Sequence, residues 1–145
     1  MDWEALATTS HYNTAVAIRD ALREGNVDDA SVGLEELIDA LSRSEKRALR
    51  SHLVRLMQYI IKWKVQPDRR SPSWMWTIRN ARIEIADVQE ETPSLTDRVI
   101  AEELWERCLR LAHNEAAKDM ELTHLQPQTL TWEEVFDAPY TLDAP

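Results

Sequence analysis

A chain of 145 residues, 43% hydrophobic and 30% charged, can bury roughly 68–70% of its unfolded surface without a disulfide or metal staple, and it is too apolar for a disordered chain. Two glycines are too few for the positive-φ backbone of glycine-rich phosphate loops or hairpin-dense β architectures. A lone cysteine, no stretch near the ~20 apolar residues of a membrane span, and an N-terminus without a signal-peptide pattern point to a soluble cytoplasmic protein, and the net charge of −9 weakens long-range steering of nucleic acid.

From residue 3 to 22 the apolar positions Trp3, Leu6, Tyr12, Ala15, Ile18 and Leu22 recur at threes and fours, which predicts one amphipathic helix stopped by Gly25 and Asn26. A second helix is expected over 29–41, with Leu34, Leu37, Ile38 and Leu41 in one stripe and Gly33 weakening its first turn. Ser42 followed by Glu45 has the form of a capping box and so predicts a third helix. Its core face is Leu49, Leu53, Leu56, Met57, Ile60 and Trp63, and Pro67 ends it near Val65.

Ser71-Pro72 supplies a cap and an N1 proline for a fourth helix that runs to Glu91 on Trp74, Ile78, Ala81, Ile85 and Val88. Thr92-Pro93 repeats that grammar and predicts a fifth helix through about Lys118, with a broad stripe from Leu95 through Cys108 and Leu111 to Ala116. Thr131 and Glu134 form another capping box, ahead of a short terminal helix. The expectation is therefore an all-α fold: a single-domain bundle of about five helices plus a short C-terminal helix over residues 1–138, and an extended or frayed tail over 139–145.

Charge is strongly segregated along the chain. Residues 1–42 sum to −7, residues 43–82 to +9 with eleven basic side chains against Glu45 and Asp68, and residues 83–145 to −11. Within the basic middle, Lys62, Trp63, Lys64, Gln66, Arg69, Arg70, Trp74, Trp76, Arg79 and Arg82 surround a proline-bounded link. Arginine forks hold phosphate or carboxylate bidentately and tryptophan faces stack on bases or guanidinium groups, so this composition suits an anionic or protein partner. The alternative is structural: Trp63 and Trp74 fill a core corner while the arginines stack on them or pair with the acidic arms.

Candidate binding residues are accordingly Lys62, Gln66, Arg69, Arg70, Trp76, Arg79 and Arg82. Trp76, two residues from Trp74, is expected to point away from the face that Trp74 buries, and exposed aromatics are enriched at binding hot spots. Arg79 and Arg82 are expected on one helix face. Catalytic signatures are weak: there is no Gly-x-Ser-x-Gly, P-loop or dinucleotide fingerprint, and His11, His52, His113 and His124 fit no common zinc spacing. Cys108, inside an apolar stripe, reads as an inert buried thiol.

Arg43-Ser44-Glu45-Lys46-Arg47, the run from Lys62-Trp63 through Gln66-Pro67-Asp68-Arg69-Arg70-Ser71 to Ser73-Trp74, then Ile78-Arg79, Arg82 and Pro93-Ser94-Leu95 together resemble the bacterial "domain of unknown function twenty-nine" family. The resemblance implies an all-helical fold and assigns no activity. Where the family usually has histidine before the aliphatic pair preceding Lys62, this chain has Tyr59. The expected function is a non-enzymatic protein-interaction or regulatory module without cofactor or metal, whose partner is a protein or a second copy of the chain and not a membrane. The alternative is an accessory nucleic-acid-binding protein using segment 62–82.

Overall fold

In the computed structural model, residues 1–142 are described, and they hold no strand. Six helices follow one another: α1 (Trp3–Thr9), α2 (His11–Arg23), α3 (Val27–Val65), α4 (Pro72–Glu91), α5, and α6 (Trp132–Phe136). Helix α5 is a continuous run over 97–119 made of Asp97–Val99, a wider π turn at Ile100–Leu104, and Trp105–Asp119.

The chain forms two compact units, Met1–Arg47 and Ala48–Pro145, each with its own buried cluster. In the first, Trp3, Ile18, Ala21 and Ala30 are buried, with Leu6, Ala17 and Leu37 packed against them. The Trp3 indole N–H donates to Asp29 Oδ1 at 2.8 Å, so its one polar atom is satisfied. In the second, Leu49, Leu53, Leu56, Met57, Ile60, Ile61 and Trp63 of α3 pack with Ile78, Ala81, Ile85 and Val88 of α4 and with Ile100, Leu104, Cys108, Ala112 and Ala116 of α5.

The α5 core positions are spaced by four. An i→i+5 turn holds more residues than the 3.6 of an α turn, which keeps Ile100 and Leu104 closer to one face than an α-helix would. The Cys108 thiol, 3.9 Å from the Arg50 carbonyl, is fully buried, and burial raises its pKa.

Several local expectations are corrected. The single N-terminal helix is two: at Ser10 the backbone is extended (φ −153, ψ 113), and its hydroxyl accepts from the Asn13 N–H to cap α2. Tyr12 and Leu22, assigned to the apolar face, are 77% and 53% exposed. The stop after α2 is a Schellman motif, with Gly25 at φ +83, Asn26 N–H on the Ala21 carbonyl and Gly25 N–H on the Leu22 carbonyl.

The helices expected over 29–41 and from Ser42 are one helix, because no glycine or proline lies between 34 and 66 and an amide inside a helix already has its i−4 carbonyl. The capping box at Ser42 is therefore not used, whereas the one at Thr131 is complete: Thr131 N–H donates to Glu134 Oε1 at 2.9 Å, and Glu134 N–H to Thr131 Oγ1 at 3.1 Å. Helix α5 begins four residues later than Thr92-Pro93 suggests. Thr92 closes α4, donating its N–H to the Val88 carbonyl, and Thr96 caps α5. Leu111, placed in the apolar stripe, is 42% exposed. Of the tail expected over 139–145, residues 139–142 carry no regular structure and residues 143–145 lie outside the described residues.

Gly33 tests the packing of the first unit. It lies inside α3, where alanine is intrinsically better by about 1 kcal/mol, yet a Cβ there would stand 2.7 Å from the Trp3 ring. The ring is buried and hydrogen-bonded, so overpacking, typically costing about 1–3 kcal/mol, opposes the propensity gain. Gly33→Ala is expected to destabilise the protein in urea unfolding followed by tryptophan fluorescence; a variant more stable than wild type would show that Trp3 can move aside freely.

Candidate functional site

The proline-bounded corner between α3 and α4 is built by its own cations. Lys62 is 8% exposed. Its ammonium lies 3.3 Å from Asp119 Oδ2, 4.3 Å from the Tyr59 ring centroid and 4.8 Å from that of Trp74, and Gln58 donates to the same Asp119 oxygen at 2.6 Å. Two rings and a carboxylate thus replace the water that a buried ammonium loses. Arg70 stacks over Trp63 at 4.9 Å and donates its Nε–H to the Trp63 carbonyl at 2.9 Å, one of the last carbonyls of α3.

Arg82 donates to the carbonyls of Val135 (2.9 Å) and Glu134 (3.2 Å) and stacks on Tyr140 at 5.4 Å. It is thereby the clamp on α6, and desolvation lowers its pKa. Lys64 completes the attachment with a 2.6 Å ion pair to Glu134. That hydrogen bond, followed by the one from the Thr131 backbone, holds the Glu134 carboxyl below its usual range. The Tyr140 hydroxyl donates to the Glu134 carbonyl at 2.7 Å, and its ring meets Trp63 edge-on. Trp105 of α5 stacks on Trp132 of α6, whose ring in turn lies tilted against Phe136.

The seven nominated residues therefore separate. Lys62, Arg70 and Arg82 are engaged internally, and Gln66 is half-buried. Arg69, Trp76 and Arg79 face solvent. Among the described residues the Arg69 side chain has no partner, while Arg79 stacks over the half-exposed Trp76 at 4.8 Å. Arg79 and Arg82 are split, one outward and one inward. Ile83, 52% exposed, lies seven residues after Trp76 and extends its face. Beside that face is a cleft of about 230 Å³ between α4 and residues 139–141, lined by Met75, Arg79, Arg82, Ile83 and Tyr140.

A second surface includes three of the four residues that the sequence placed in one stripe over 29–41. On α3, Val27, Leu34, Ile38 and Leu41 are 59%, 46%, 49% and 41% exposed, and at 100° per residue they fall within about 40° of one line. Of the stripe assigned to residues 34–41, only Leu37 packs against the buried cluster of the first unit. Periodicity marked the stripe but not its destination. Among the described residues no group of three or more histidine, cysteine or acidic side chains is placed to hold a metal, and no helix is long and apolar enough to cross a membrane.

The family model described as "Domain of unknown function DUF29" matches residues 13–141. The chain belongs to that family. No curated protein matches it, and no solved structure does.

Two outcomes follow from this geometry. Trp63→Ala, which empties a core site, is expected to cost about 3–5 kcal/mol, and Trp76→Ala no more than about 1 kcal/mol, both measured by urea denaturation; equal costs would mean that Trp76 is not the outward residue. Tyr140 is pushed up to about 12, first by burial and then by the Glu134 charge. A phenol whose folded pKa exceeds its unfolded value of about 10 stabilises fully below pH 10 and loses that contribution as pH rises toward 12. Tyr140→Phe is expected to remove the latest phenolate absorbance step and flatten stability across that window.

Proposed function

We propose that the protein is a non-enzymatic interaction module of the bacterial cytoplasm whose partner is an α-helix of another polypeptide, laid along the exposed aliphatic stripe of α3. The observation that carries this reading is that Val27, Leu34, Ile38 and Leu41 stand about half exposed in one line, at spacings of seven, four and three. Those are the anchor spacings of helix-in-groove and coiled-coil recognition. A line of exposed aliphatic side chains on one helix face is the kind of surface that partner helices cover.

Covering four half-exposed aliphatic side chains is worth roughly 1 kcal/mol each, against several kcal/mol for lost rigid-body freedom. The stripe alone supports a transient complex; a tight one recruits flanking contacts. A second copy of the chain satisfies the same geometry. Trp76, Arg79 and Ile83 offer a further face for a protein partner. Nucleic-acid binding is less well supported, because Lys62 and Arg82 are held inward by carbonyls, rings and Asp119, and the exposed Arg70 and Arg79 are already stacked on Trp63 and Trp76.

The test pairs the double variant Ile38→Gln and Leu41→Gln with affinity purification from the native host and light scattering of the purified chain. The variant is expected to keep its helix content and thermal midpoint while losing the co-purifying protein, or, for self-association, dropping to the monomer mass. An unchanged mass together with an unchanged co-purifying set would remove the stripe as the interface. Co-elution of nucleic acid that weakens by about one unit of log-log salt slope per arginine removed would favour the other reading.

A further inference from the structure

In the first unit, Ala40, Arg43, Ser44 and Arg47 occupy α3 at spacings of three, one and three, on the side away from the aliphatic stripe. Together with Thr8 near the end of α1 and His11 in the first turn of α2, they line a cleft of about 190 Å³. No carboxylate lines it, although residues 1–42 carry nine acidic groups against two basic ones. Arg43 and Arg47 are exposed, and among the described residues neither they nor His11 has a hydrogen bond, ion pair or ring contact from its side chain. Like charges one helical turn apart repel. In a chain with nine excess negative charges, two guanidinium groups left unneutralised over a shared hollow are poised for an anion.

We propose that this cleft is a binding site for a tetrahedral oxyanion, the phosphate group of a small phosphate-bearing ligand. Guanidinium forks match phosphate oxygens bidentately, and the Ser44 hydroxyl, without an internal partner among the described residues, is a further donor. Thr8 Oγ1 already donates to the Glu4 carbonyl at 2.9 Å, so it shapes the wall and offers no proton. Selection comes from the side chains. The amide end of α2 and the carbonyl end of α1 meet at Ser10, and their opposed dipoles largely offset one another there.

Volume sets the ligand class. The cleft exceeds the roughly 30 Å³ share of a water several-fold and falls short of the roughly 300 Å³ of a drug-sized pocket. It accommodates a phosphate and the first atoms of an ester, with any remainder in solvent. The site is independent of the aliphatic stripe and of the face around Trp76.

The experiment titrates the full-length protein with inorganic phosphate and, separately, with glycerol 3-phosphate, at ionic strength held constant with sodium chloride, and follows the amide and arginine side-chain NMR resonances. Saturable shifts confined to His11, Arg43, Ser44 and Arg47 are expected. Tighter binding of the ester assigns an organic phosphate as ligand, and equal binding assigns the free ion. Arg43→Gln and Arg47→Gln, exposed and of good helix propensity, are each expected to weaken binding roughly tenfold. Arg19→Gln, which removes an exposed ion pair with Asp20 outside the cleft, is expected to leave it unchanged. Shifts that do not saturate, that spread over all basic residues of 43–82, or that persist in the folded Arg43→Gln/Arg47→Gln protein would overturn the proposal.

Discussion

From residue 34 to residue 66 the chain offers its backbone no glycine and no proline, and everything else in the structure accommodates the uninterrupted helix that results. Once an interior amide has its i−4 carbonyl, a serine or glutamate side chain has no vacant N–H to cap. The 39 residues of α3 run from the first unit into the second. Its first stretch places Ala30, Gly33, Leu37 and Ala40 against the first unit, and its later stretch packs Leu49 to Trp63 in the second. The aliphatic stripe and the arginine-lined cleft are faces that the core of the first unit leaves open.

The basic middle of the chain acts first as structure. Lys62 and Arg82 exchange water for rings, carbonyls or a carboxylate, the exposed Arg70 adds a ring and a carbonyl contact, and among the described residues every buried side-chain nitrogen and oxygen has a partner. Arg82 shows why such a group is not interchangeable with lysine. Its planar fork reaches two successive carbonyls of a five-residue helix while lying over the Tyr140 ring. Helix α6, too short to be stable alone, is fastened by that fork, the Lys64 to Glu134 pair and the row of aromatic rings. The acidic C-terminal region thus supplies carboxylates and carbonyls to the basic corner, as its charge segregation allows.

Three outward surfaces differ in kind. The stripe on α3 is apolar and linear, the Trp76 face is mixed, and the cleft near Ser10 is cationic and concave. A partner helix and a phosphate group are recognised by different physics, area in one case and directional charge in the other, so the two surfaces can serve one module without competing.

The sequence by itself determined the all-helical class, the position of α4, the stop at Gly25 and Asn26, the cap of α6, the family and the outward direction of Trp76. Each of these rests on local chemistry: a proline without an N–H, a hydroxyl within reach of a free amide, a residue two positions from a buried one. Tertiary structure alone decided that Leu34, Ile38 and Leu41 face solvent while Leu49 and Leu53 do not, and that Arg82 turns inward while Arg79 turns outward. A 3.6-residue period is identical for a core stripe and an interface stripe, and a guanidinium carries no local mark of the ring or carbonyl that will hold it. Those outcomes depend on which surfaces the rest of the chain brings alongside, and that information is non-local.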